Sequence, residues 1–69
     1  MDELTNKEIE LIEKCSDKYL VFIRLTEKVL PYEKEIDNLV KQGLLILSKP
    51  NFIITRKLLE NYKKVIDIK

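Results

Sequence analysis

Sixty-nine residues suffice for one domain, and at this length a single core is near its limit of independent stability, so a partner or second copy helps. Hydrophobic residues make up 45% of the chain, which argues against disorder, while one cysteine and no histidine exclude an internal disulfide and leave no thiolate–imidazole set for zinc. The net charge of +1 conceals an asymmetry: residues 1–17 carry six acids against two lysines, residues 49–69 six bases against two acids.

This charge pattern gives no general electrostatic reason to bind nucleic acid, only a local one at the C-terminal end. The longest apolar run, Tyr19-Leu20-Val21-Phe22-Ile23, is far too short to span a bilayer. Met1-Asp2-Glu3 opens the chain without a basic or apolar leader pattern, so a cytoplasmic location is expected. No glycine-rich phosphate loop and no nucleophile beside a base is present, and Glu8, Glu10 and Glu13 read as surface charge. The expectation is a protein that is not an enzyme and needs no cofactor or metal.

In chain order, Thr5-Asn6-Lys7-Glu8 is a capping box, and a first helix should run to about Cys15 with Leu4, Leu11, Ile12 and Cys15 on one face. Cys15 reads as a small core residue. Ser16 or Asp17 is placed to cap a second helix ending near Val29. Tyr, Val, Phe and Ile in its apolar run also favour strands, but Leu25, Val29 and Leu30 continue the pattern at helical spacing. Pro31 suits the first turn of a third helix, whose buried stripe is Tyr32, Ile36, Leu39 and Val40. Gly43, the only glycine, stands where a left-handed cap is required.

Two apolar runs follow, Leu44–Leu47 and Phe52–Ile54. The Ser48-Lys49-Pro50-Asn51 loop between them makes a hairpin. Thr55 is a natural N-cap for a last helix, in which Leu58, Leu59, Tyr62, Val65 and Ile66 share one face. The expected fold is one mostly α domain with a small β-hairpin over residues 1–69, in the order helix, helix, helix, hairpin, helix. A strand through residues 19–23 paired in a sheet core would sink that arrangement and any family assignment built on it.

Ile36-Asp37-Asn38-Leu39-Val40-Lys41-Gln42-Gly43-Leu44-Leu45, followed by Phe52-Ile53-Ile54-Thr55, resembles the winged helix-turn-helix family. There a recognition helix ends in L-x-x-x-G-L-[IL], and a wing hairpin closes on an Ile-Thr or Leu-Thr step that caps the next helix. The likeness covers roughly residues 19–62. Arg56-Lys57-Leu58 stands where the family has a glycine after the threonine, and the wing is short.

The resemblance implies a domain that binds double-stranded DNA and regulates transcription as a dimer. Lys34, Asn38, Lys41 and Gln42 of the third helix would face the major groove. Lys49 and Asn51 of the wing, with Arg56 and Lys57, would meet phosphates. Glu33 and Glu35 oppose this by repelling phosphate, although acids in a first helical turn also favour the helix dipole. The alternative is a non-catalytic, protein-binding winged helix, an accessory subunit of a replication or transcription complex. Apolar residues surplus to a small core, among them Leu20, Val21, Leu45, Leu47 and Ile53, would form its partner or homodimer interface.

Overall fold

The computed structural model of the chain describes residues 4–68, so Met1–Glu3, on which the leader reading rests, lie outside the described residues. It is a small α+β domain: helix α1 (Asn6–Cys15), strand β1 (Phe22–Arg24), a 3-10 helix (Glu27–Tyr32), helix α2 (Glu33–Lys41), strands β2 (Leu45–Ser48) and β3 (Asn51–Ile54), and helix α3 (Arg56–Ile68). The three strands form one antiparallel sheet in the order β1-β3-β2.

Local chemistry explains most boundaries. The Thr5 hydroxyl accepts the Glu8 amide at 3.1 Å and the Glu8 carboxylate accepts the Thr5 amide at 2.8 Å, so the capping box is complete. That second bond draws Glu8 into the buried set at 5% exposure, a correction to its reading as surface charge. Glu10 is also engaged, as acceptor from the Tyr32 hydroxyl. At the far end of α2, Gly43 adopts φ +75, the left-handed cap expected of it. The Thr55 hydroxyl accepts the Leu58 amide and donates to the Leu44 carbonyl, capping α3 and tying it to the start of the hairpin.

The second helix expected over residues 17–29 does not form. The Asp17 carboxylate accepts the amides of Tyr19, Val21 and Phe22, bending the chain into a turn that Leu20 completes at φ +58. Backbone donors captured in this way are lost to a helix. The β-branched and aromatic residues beyond the turn form β1, in register with β3 as Phe22↔Ile53, Ile23↔Phe52 and Arg24↔Asn51. Of the helically spaced residues, Val29 and Leu30 lie in the 3-10 helix, which Thr26 caps through the Lys28 amide, and Leu25 lies between β1 and that cap. Pro31 lies inside that 3-10 helix, not in the first turn of α2.

The hairpin matches expectation. Its turn is Lys49–Pro50, joined by a cis peptide bond, and β2 pairs with β3 from Leu45↔Ile54 to Ser48↔Asn51. The core lies between the inner face of the sheet and the helices, where Leu11, Ile12, Ile23, Leu39, Leu44, Leu45 and Leu58 are almost fully inaccessible. Burying each such side chain contributes about 1.5–3 kcal/mol. Cys15 packs half-buried against this core, its thiol 3.5 Å from the Lys28 carbonyl, and burial pushes that thiol's pKa up. Val40 and Ile66, expected in buried stripes, are exposed.

Candidate functional site

Helix α2 presents three different faces. Ile36 and Leu39, with Tyr32 just before them, point into the core. Lys34, Asn38 and Lys41 share the opposite, solvent-exposed face, as their four- and three-residue spacings require. Glu33, Asp37 and Val40 line the flank turned toward the hairpin.

That flank borders a groove because the hairpin outruns the core. Leu45 and Leu47 point to the same side of β2, one pleat apart, and pair with Ile54 and Phe52. Leu45 is 1% exposed, whereas Leu47, nearer the turn, is 50% exposed. The strand has passed the edge of the helical layer. The Leu25 amide donates to the Pro50 carbonyl at 3.0 Å, so the tip of the hairpin is fastened to the end of β1.

Between these elements lies an open groove of about 680 Å³, floored by Val29, Ile36 and Phe52 and walled by Leu25, Leu30, Val40 and Leu47. Three acids, Glu27, Glu33 and Asp37, stand on it, and among the described residues no lysine or arginine lines it. Asp37 is paired with Lys41 at 3.1 Å, an exposed i,i+4 bridge on α2. Four large apolar side chains gathered at one place are not ordinary scattered surface.

The residues chosen from sequence divide accordingly. Lys34, Asn38 and Lys41 are brought together, with Gln42 exposed at the end of α2. Lys49 is exposed at the hairpin turn, and Arg56 and Lys57 in the first turn of α3. These two basic groups sit at opposite ends of β3, about 13 Å of strand apart. Asn51 is half-buried at the start of β3, its Oδ1 enclosed without a hydrogen-bond partner among the described residues.

Of the expected interface residues, Leu47 lines the groove, but Leu45 belongs to the core and cannot serve as a contact. Val21 is exposed away from the groove, Leu20 is half-buried in the turn, and Ile53 lies on the outer sheet face between Phe22 and Ile46. Sequence reasoning detected surplus apolar surface but missed Leu25, Leu30 and Val40 as its carriers. The available signal was that Val40 falls next to Leu39 on the edge of the buried stripe of α2.

Among the described residues no group of three His, Cys, Asp or Glu side chains is arranged to hold a metal ion, and no helix is long and apolar enough to cross a membrane. Comparison with protein-family models, characterised proteins and solved structures found no match.

Proposed function

We propose that this chain is a non-catalytic, protein-binding domain of winged-helix type, an accessory subunit that takes an apolar segment of a partner protein between α2 and the hairpin. The winged-helix reading rests on α2, the Gly43 cap, the hairpin and the Thr55 cap, which keep the order and spacing of the family's pattern. A long second helix, part of the expected pattern, is absent from residues 17–29 and does not support it. β1 counts against that reading, because it pairs Phe22 and Ile23 of the 19–23 run with the central strand and buries Ile23 in the core; what still supports the reading is the unbroken sequence of α2, cap and hairpin.

One observation carries the protein-binding reading: the groove beside α2 is apolar and acid-lined. If α2 lay in a major groove and the hairpin tip reached the neighbouring minor groove, a phosphodiester strand would pass between them. Glu27 and Glu33 would repel it there, Asp37 being paired with Lys41, and the leucines offer it no donor.

A specific observation favours duplex DNA as the second reading, namely the Lys34, Asn38 and Lys41 stripe with Lys49 beyond it. The bridge to Asp37 already compensates the charge of Lys41. Titration of a labelled random duplex at low salt decides between them. The protein-binding reading expects no saturable binding and no effect of neutralising Lys49 and Arg56. Binding whose log K falls with log salt by about 0.9 per phosphate contact would establish DNA instead.

A further inference from the structure

The geometry points to a basic amphipathic helix as the occupant of this groove: a partner segment with an apolar stripe at three- and four-residue spacing, flanked by lysine or arginine. The inference rests on the protein-binding reading and names the partner's chemistry.

Shape gives the first reason. The walls are side chains of the 3-10 helix, of α2 and of the inner sheet face, with Leu25 at the end of β1. Phe52 belongs to β3, the central strand, whose backbone is paired on both sides. Leu47 enters the groove from the face of β2, not from its free edge. An extended peptide lying among these side chains would have to reach past them to the outer edge of β1 or β2 to satisfy its backbone. A helix satisfies its own hydrogen bonds and offers only side chains, which is what an apolar groove of this kind accepts.

Charge gives the second reason. The chain as a whole has 13 Lys and Arg against 12 Asp and Glu, yet the groove has three acids and no base among the described residues. Among the described residues neither Glu27 nor Glu33 is held in an ion pair. Both stand beside apolar walls, where a partner's lysines would reach them while its leucines enter the groove. An acidic helix would be repelled by the same two side chains.

A second copy of this chain fits less well. The basic residues of its own α3, Arg56, Lys57, Lys63 and Lys64, share that helix's exposed surface with Ile66 as the only large apolar residue exposed there among the described residues. That face has charge of the right sign without the apolar stripe.

The test uses the whole 69-residue chain and a display library of short helices with a fixed Leu/Ile/Val/Met stripe and randomised charge elsewhere. Selected helices are expected to be rich in Lys and Arg. Remaking one with glutamates in place of its basic residues should weaken binding about tenfold, as two or three exposed ion pairs would require. The double change Glu27→Gln, Glu33→Gln should remove that preference, and Leu30→Gln should weaken basic and acidic helices alike, with circular dichroism unchanged in both variants.

Helices selected without charge bias, but still lost in Leu30→Gln, would overturn the basic partner while leaving the docking groove standing. No selection at all from a chain that sediments as a monomer would overturn both. No selection from a dimer that Leu30→Gln dissociates would assign the groove to a second copy and overturn the basic helix.

Discussion

The Tyr32 hydroxyl donates to the Glu10 Oε2 at 2.6 Å, joining the end of the 3-10 helix to the middle of α1 across 22 residues of chain. The bond favours the protonated phenol and the ionised carboxylate together. It is the largest influence holding the Glu10 pKa below its ordinary value, and with burial it pushes Tyr32 up to about 12.

Linkage gives this pair a pH window. Glu10, with a lowered folded pKa, contributes stability that is present above its unfolded value of about 4.3 and is lost as pH falls through the folded value. Tyr32, with a raised folded pKa, contributes stability present below its unfolded value of about 10 and lost as pH rises toward 12. Thermal unfolding of Tyr32→Phe across pH 3–11 should show a flatter dependence than wild type at both ends. An unchanged profile would refute the coupling.

Asp17 should behave as the keystone of the turn before β1. Burial raises its pKa, but the Phe22, Val21 and Tyr19 amides outweigh that and leave it lowered. Its stabilisation therefore holds above about pH 3.9 and fades as pH falls through the lowered folded value. Asp17→Asn keeps a hydrogen-bonding oxygen but removes the charge, so its Tm should be lower than wild type at neutral pH. The two should converge at the acid limit.

Gly43 is required for its backbone alone. A Cβ built there meets nothing within 4 Å, while φ is +75. Gly43→Ala should destabilise by roughly 1–2 kcal/mol, the cost of the left-handed conformation to an L-residue. Urea unfolding should show a lower midpoint with an unchanged m-value.

Leu45 and Leu47, two residues apart on one face of β2, should respond very differently. Leu45→Ala empties a core position that is 1% exposed and should cost about 2–5 kcal/mol. Leu47→Ser, at a position 50% exposed, should stay within about 0.5 kcal/mol of wild type. Equal losses in chemical denaturation would mean that the groove closes over Leu47 in solution.

Local signals were legible in the sequence. The capping box at Thr5, the left-handed Gly43, the hairpin turn and the Thr55 cap each depend on side chains within a few residues, so spacing alone predicts them. The faces of α2 were legible for the same reason, because three- and four-residue periodicity places Ile36 and Leu39 opposite Lys34, Asn38 and Lys41.

Residues 17–32 were not legible, since the choice there was made over longer distances. The run from Tyr19 to Ile23 suits either helix or strand. Asp17 decides it by taking three amides, and β3 by offering a free edge some 30 residues away. The groove was hidden for a related reason. Whether an apolar residue on a pleated strand is core or surface depends on where the opposing helices end, so Leu45 is buried and Leu47 is not, although periodicity treats them alike. Sequence by itself determined the caps, the hairpin and an excess of apolar side chains. Only the packing of α2 and the 3-10 helix short of the hairpin tip decided that part of this excess, Leu25, Leu30, Val40 and Leu47, collects in one acid-lined groove.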